Sequence, residues 1–244
     1  MKPIALRICL FVVSLLLGAC LGGREEFWFE RDGSGRLQAE YRMPVFAIAS
    51  MGGEEKLRKT IVDFFATEPG VVMETFVMEK TGAEARLRLH ATFDSVLQLS
   101  RLMEKSASQE SGTPLPEPMV KLLGEIQVAR SGMDLDFQRK IDPREVFAGG
   151  LVTPTTSQMR GYQLEYIMHL PMAAKQSNAH QVSDSGHTLL WRYELAEAMK
   201  SPVQTNFLTP IPIPLWSWLL FSLLLIGSIW LLGRWLMARN RTRG

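Results

Sequence analysis

Residues 71–93, with the sequence VVMETFVMEKTGAEARLRLHATF, decide the fold class. The stretch predicts two strands, Val71 to Glu79 and Ala85 to Phe93, joined by a turn at residues 80–84. Apolar and polar side chains alternate along the second strand, and its apolar face carries Leu87, Leu89, Ala91 and Phe93. Such alternation is typical of an antiparallel sheet that has one face in the core and one face in water.

Upstream of this pair, the sequence predicts a second hairpin and a helix. The segments Phe27 to Arg31 and Arg36 to Met43 flank Asp32-Gly33-Ser34-Gly35, which has the composition of a hairpin turn. Gly53 to Ala66 is predicted to be an amphipathic helix, with one apolar stripe made of Leu57, Ile61, Phe64 and Phe65.

Downstream, Asp94 is placed to cap a second amphipathic helix that ends near Lys105. After an aperiodic loop at residues 106–118, further strands are predicted at 125–130, 133–141, 159–170, 178–182, 187–194 and 203–207, with Trp191 facing inward. We therefore expect an α+β domain over residues 20–208. Its antiparallel β-sheet would have one wet face, with two amphipathic helices packed on the other.

The N-terminus has the pattern of an export signal. Lys2 and Arg7 precede the ten apolar residues Ile8 to Leu17, a stretch too short to span a bilayer. The sequence Leu17-Gly18-Ala19-Cys20 follows and resembles the lipobox of bacterial lipoprotein precursors. It predicts a signal peptide at residues 1–19, removed by cleavage, and lipidation of the Cys20 thiol. The alternatives are an ordinary signal peptide and an uncleaved anchor.

The C-terminus predicts a membrane anchor. Leu215 to Gly233 contains nineteen residues without a charge, enough for a helix of about 28 Å. The tail at 234–244 carries four arginines and no acid, which predicts a cytoplasmic C-terminus. The domain would then be extracytoplasmic, joined to this transmembrane helix by a proline-rich stalk at 209–214, and the protein would lie at the cell membrane.

The charge of the domain argues against nucleic-acid binding, and its cysteine content argues against an internal disulfide. Six of the 27 basic residues lie in the two ends, while all 25 acidic residues lie between them, so the domain is mildly acidic. An acidic domain lacks the positive surface that nucleic acids require. The two cysteines are Cys9, inside the leader, and Cys20, so the mature domain has no internal disulfide and depends on an apolar core.

Several short motifs resemble those of the LppM-type bacterial lipoprotein domain family. They are the lipobox ending at Cys20, the early Asp32-Gly33-Ser34-Gly35 hairpin, Leu170-Pro171, Asn178, and the strand Thr188-Leu189-Leu190-Trp191. The proline-rich stalk and apolar C-terminus complete the pattern. The resemblance implies an extracytoplasmic domain associated with lipid or with the envelope, and it implies no catalytic residues.

One cluster of residues could carry chemistry. His180, Asp184 and His187 surround the predicted turn at 183–186 and could bind a metal, or act with a serine in nucleophilic catalysis. The alternative is that Ser, Asp and Gly are there to form the turn. His90 and His169 are predicted to be exposed.

The sequence contains no phosphate-binding glycine loop, HExxH or GxSxG motif. We therefore expect a non-enzymatic protein without a cofactor that binds membrane lipid or another envelope protein. An envelope hydrolase or metal-dependent enzyme built on the 183–186 loop is the alternative.

Overall fold

The computed structural model describes residues 22–98, 101, 120–121, 124–148, 159, 161–212 and 222–229. The strands are β1 Gly22–Phe29, β2 Gly35–Pro44, β3 Val71–Thr81, β4 Glu84–Phe93, β5 Glu125–Ser131, β6 Asp134–Ile141, β7 Gln163–His169, β8 Gln176–Ser177, β9 Gln181–Ser183, β10 Thr188–Glu194 and β11 Val203–Pro210. Four α-helices lie wholly within the described residues, α1 Val45–Ser50, α2 Glu54–Phe65, α3 Pro143–Ala148 and α4 Leu195–Ala198, and Asp184–Gly186 form a 3-10 turn.

Seven strands form a large sheet in the order β3-β4-β2-β1-β7-β10-β9. Neighbouring strands are antiparallel except for β1 and β7, which run parallel with Gly23 opposite Leu164. The alternating strands bury their apolar face as predicted, including Leu37, Leu87, Phe93, Leu164, Met168 and Trp191. Trp191 is 0% exposed, which confirms its predicted inward direction.

A second sheet of four strands, in the order β5-β6-β11-β8, is the main departure from the predicted fold class. The α+β prediction of one sheet covered by two helices is therefore wrong: the described fold is mostly strand and has two sheets. The Phe207 ring on β11 stacks on Phe137 of β6, with ring centroids 4.9 Å apart. Phe207 also lies 6.5 Å from the Trp191 ring, so the two sheets share one aromatic core.

Helix α2 agrees with its sequence prediction. Its buried residues are Leu57, Ile61, Phe64 and Phe65, the predicted stripe. On β3, the Phe76 carbonyl accepts a hydrogen bond of 2.8 Å from Arg58 Nη1, and the guanidinium lies 5.2 Å from the Phe76 ring. Of the second predicted helix, residues 96–98 and 101 are described and helical, and the remaining positions to Lys105 lie outside the described residues.

The hairpin turn at Asp32-Gly33-Ser34-Gly35 is also confirmed. Gly33 has φ +90°, which suits glycine, and the Ser34 amide donates a 3.0 Å hydrogen bond to the Asp32 carboxylate. The bonds from Ser34 hold the pKa of Asp32 below its usual range. A Cβ at Gly35 would lie 2.2 Å from the Trp28 carbonyl oxygen, so this position requires glycine.

The chain divides into two units, Met1–Ile211 and Pro212–Gly244. Strand β11 continues to Pro210, into the segment predicted as a stalk. In the second unit, residues 222–229 form a helix, and the rest of the predicted span, 215–221 and 230–233, lies outside the described residues. The predicted transmembrane helix is not supported: within the described parts of the chain, no helix has the length and apolar character to cross a membrane.

Candidate functional site

The polar face of the seven-stranded sheet, below called the outer face, carries many charged side chains. Because successive residues of a strand point to opposite faces, the residues in register with Arg24, Glu26 and Trp28 share this face. Extended by every second residue along each strand, this face carries the charged or aromatic residues Arg24, Glu26, Trp28, Arg36, Glu40, Arg42, Glu79, Glu84, Arg86, Arg88, His90, Glu165, His169, Arg192 and Glu194. The outer face is therefore rich in both arginine and glutamate.

Three guanidinium groups on the outer face share the carboxylate of Glu40. The Nε atoms of Arg42, Arg86 and Arg88 lie 3.7, 3.4 and 3.5 Å from its oxygens. Arg88 also pairs with Glu79 at 3.1 Å. Arg42 and Arg86 are direct cross-strand neighbours, an arrangement in which like charges repel. Arg88 has Glu79 as a second partner, whereas the contact of Arg42 with the shared Glu40 carboxylate is the longest of the three.

An aromatic stack occupies the other end of the outer face. The Trp28 and His169 rings lie 5.1 Å apart and nearly parallel, and the Arg36 guanidinium lies 4.5 Å from the Trp28 ring centroid. His169 Nε2 is 2.8 Å from Glu26 Oε1. Burial would raise the pKa of Glu26, but the hydrogen bonds from His169 and Arg24 outweigh it and hold that pKa below its usual range. His169 is thus half-buried and bonded, and not simply exposed as predicted.

A chain of hydrogen bonds links this stack to the loop after β9. His169 Nδ1 lies 3.2 Å from Thr188 Oγ1, and Thr188 Oγ1 donates to Asp184 Oδ2 at 2.6 Å. A hydroxyl has one proton, so Thr188 can only accept from His169 when it donates to Asp184. Its oxygen is therefore not activated by the imidazole, although the order of groups superficially resembles that of a nucleophilic triad.

The predicted cluster of His180, Asp184 and His187, below called the hairpin cluster, does not converge on one point. His187 Nδ1 is 2.8 Å from the backbone oxygen of Asp184, and His180 Nδ1 accepts from the Arg192 amide at 3.1 Å. Among the described residues, no group of three or more His, Cys, Asp or Glu side chains could hold a metal ion. The three side chains make separate hydrogen bonds, His187 to the Asp184 backbone, Asp184 to Thr188 and His180 to the Arg192 amide.

The register of this hairpin differs from the predicted one. Val182 pairs with Leu189, whereas a four-residue turn at 183–186, as predicted, would place it opposite His187. The reason is that the loop comprises residues 184–187, with φ of +49°, +55° and +94° at Asp184, Ser185 and Gly186. His187 therefore belongs to the loop and is not a strand neighbour of His180.

A buried polar joint connects the two sheets, and the sequence analysis missed it. Arg139 on β6 donates from both terminal nitrogens to the Glu25 carboxylate on β1, with Nη2 to Oε1 at 3.1 Å. The Tyr41 hydroxyl donates to the same carboxylate, and the Arg139 guanidinium lies 5.0 Å from the Tyr166 ring centroid. Glu25 and Arg139 are 4% and 2% exposed.

The joint shifts the pKa values of the side chains that form it or contact it. Burial alone would lower the pKa of Arg139, but the Glu25 carboxylate outweighs burial and raises that pKa, so the guanidinium stays charged. Burial and the Glu25 charge raise the pKa of Tyr41 and of Tyr166, so both phenols stay neutral in the folded protein. The Glu25–Arg139 ion pair is buried between the sheets, and we interpret the joint as structural.

Asn178, one of the motif residues, forms a second joint between the sheets. Its Oδ1 accepts from Trp191 Nε1 and from the Asn206 amide, each at 2.8 Å. Its Nδ2 donates to the Gln204 carbonyl at 2.9 Å. One side chain therefore satisfies the buried indole N–H of Trp191 and two backbone groups of β11, the Asn206 N–H and the Gln204 carbonyl. This role explains the asparagine before the tryptophan strand.

A groove of about 630 Å³ opens at the end of the large sheet where β1 begins. Its lining includes Gly22, Gly23, Arg24, Arg42, Glu84 and Tyr162. The Tyr162 hydroxyl donates to Glu84 at 3.0 Å across one wall. The groove is polar and charged, so it suits a headgroup or a polar surface better than an acyl chain. Cys20 itself lies outside the described residues.

These features define the class of molecule: two packed β-sheets that share an aromatic core and expose a charged outer face. No protein-family model and no curated protein matches the sequence. Among solved structures, the chain is similar to the NMR structure of the folded domain of LppM from Mycobacterium tuberculosis. The TM-score is 0.43 and the identity 11%, over 80% of this chain and 91% of that chain. So coarse a likeness transfers no residue roles, and membership of the LppM-type family stays a prediction.

Proposed function

We propose that the chain is an extracytoplasmic lipoprotein, acylated at Cys20, whose two-sheet domain is a non-enzymatic module that binds lipid or another envelope component. The observation that carries the proposal is the position of β1. This strand is central in the large sheet and begins at Gly22, two residues after Cys20. Two residues span at most about 7 Å, so an acyl chain on Cys20 would hold this end of the sheet at the bilayer surface.

The binding role is supported by the character of the outer face. Its arginines outnumber the carboxylates that pair with them around Glu40, and the groove beside Gly22 is polar. The hairpin cluster, the basis of the alternative envelope hydrolase or metal-dependent enzyme, has its side chains engaged in separate hydrogen bonds. No observation favours that alternative.

The experiment is acyl labelling of the full chain in a bacterial host, comparing Cys20→Ala with the matched leader variant Cys9→Ala. We expect Cys20→Ala to lose the label and accumulate as a longer precursor, because the acceptor thiol is gone, and Cys9→Ala to be processed normally. Undiminished labelling of the Cys20→Ala variant would refute the acylation site. An alkaline phosphatase inserted at 106–118 should be active if the domain is exported.

A further inference from the structure

The groove at the start of β1 lies within two residues of the proposed acylation site. Gly22 and Gly23 form part of its lining, and they stand two and three residues after Cys20 in the sequence. An acylated Cys20 would therefore place the groove at the level of the lipid headgroups, within about 7 Å of the bilayer surface. A ligand of this groove should accordingly be part of the membrane.

Two charged groups in the groove are left available for a ligand. Arg42 is 53% exposed, and the ion pair that it makes with the described residues is the long 3.7 Å contact to Glu40, a carboxylate shared with two other arginines. Glu84 is exposed and accepts a hydrogen bond from Tyr162, and in the described part of the chain it has no cationic partner. By contrast, the lining residue Glu165 is engaged by Arg192 at 2.7 Å.

The groove thus offers one guanidinium and one carboxylate that do not pair with each other. A guanidinium binds phosphate oxygens through two parallel N–H bonds. A carboxylate accepts N–H bonds from a primary ammonium. A purely anionic ligand would meet repulsion from Glu84, whereas a zwitterion would satisfy both groups.

We propose that this groove binds the phosphoethanolamine headgroup of a membrane phospholipid, with Arg42 on the phosphate and Glu84 on the ammonium. The inference rests on the proposed function, because acylation of Cys20 is what brings the groove to the headgroups. The headgroup contact would fix the orientation of the large sheet on the bilayer, which one acyl tether alone leaves free.

The test titrates the mature full chain in a non-ionic detergent with phosphorylethanolamine, phosphorylcholine and inorganic phosphate, read from the arginine Nε–H and Gly22 and Gly23 amide resonances. We expect saturable binding that is tightest for phosphorylethanolamine, because the choline ammonium has no N–H for Glu84. Arg42→Gln should weaken both headgroup probes about tenfold, the effect of losing one charge-assisted contact. Glu84→Gln should weaken phosphorylethanolamine alone.

The matched control is Arg130→Gln, which removes the same charge from the β5 end in the second sheet and should change no affinity. Binding of phosphorylethanolamine no tighter than inorganic phosphate, or insensitive to Arg42→Gln, would overturn the proposal. The titration is repeated on Cys20→Ala, which should bind the soluble probe equally well. Lost acylation would therefore refute the proposed function only, and normal acylation without saturable binding would refute the headgroup site only.

Discussion

Replacing Arg139 by Met should destabilise the domain strongly, because it leaves the Glu25 carboxylate buried without its cation. The two side chains are 1% and 5% exposed, so water screens little of the loss. Breaking a buried ion pair by removing one partner costs about 3–5 kcal/mol in the free energy of unfolding. The Tyr41 hydroxyl remains as a donor to the carboxylate, which recovers about 1 kcal/mol at most. We therefore expect a loss of at least about 2 kcal/mol.

The assay is urea unfolding of residues 22–211, followed by the fluorescence of its two tryptophans, Trp28 and the buried Trp191. The matched comparison is the variant that combines Arg139→Met with Glu25→Leu and Tyr41→Phe, which removes the ion pair and the hydroxyl that would otherwise lose its acceptor. Because paired charges gain little over well-packed apolar groups, its stability should lie within about 1 kcal/mol of the wild type. A loss below about 1 kcal/mol for Arg139→Met alone would refute the reasoning.

Three further predictions concern the core, the hairpin cluster and the phenols. Trp191→Ala should lower the free energy of unfolding by about 3–5 kcal/mol, measured by urea, because it empties a fully buried site and also frees Asn178. Replacing all three residues of the hairpin cluster should lower the free energy of unfolding by about 1 kcal/mol, mostly through loss of the Asp184 hydrogen bond. Elemental analysis should find the same metal content in this variant as in the wild type. Stoichiometric zinc in the wild type that is lost in the variant would contradict this prediction. Stability should fall as the pH rises above 10, since Tyr41 and Tyr166 stay neutral when folded but ionise when unfolded, and Tyr166→Phe should flatten that fall in urea titrations at several pH values.

Local patterns predicted much of the large sheet. The turn at 32–35, the stripe of α2 and the inward direction of Trp191 each depend on residues within one or two elements, and each is confirmed. The second sheet could not be found this way, since β6 and β11 pair across more than sixty residues of sequence and share no turn. Assigning every strand to one sheet was the natural but wrong result.

The buried joint was missed because alternation was read as apolar inside and charged outside. A signal was present: Arg139 lies two residues from both Phe137 and Ile141, which are buried, and Glu25 lies two residues before Phe27. Because side chains on the same face of a strand are two residues apart, both Glu25 and Arg139 point inward with these buried neighbours. What the sequence does not show is that they meet, since Glu25 and Arg139 lie 114 residues apart.

The parallel pairing of β1 with β7 has a consequence for folding during synthesis, which proceeds from the N-terminus. Strands β1 to β4 can assemble as soon as they emerge, because their partners are close in sequence. Until residue 163 arrives, however, one side of β1 is an open edge with unpaired N–H and C=O groups, which favours pairing with other chains. If Cys20 is acylated early, this edge waits at the membrane surface, where the local concentration of the same intermediate is high. The step most exposed to aggregation would then be the interval before β7 closes the sheet, so slowing synthesis between β4 and β7 should reduce the yield of folded protein.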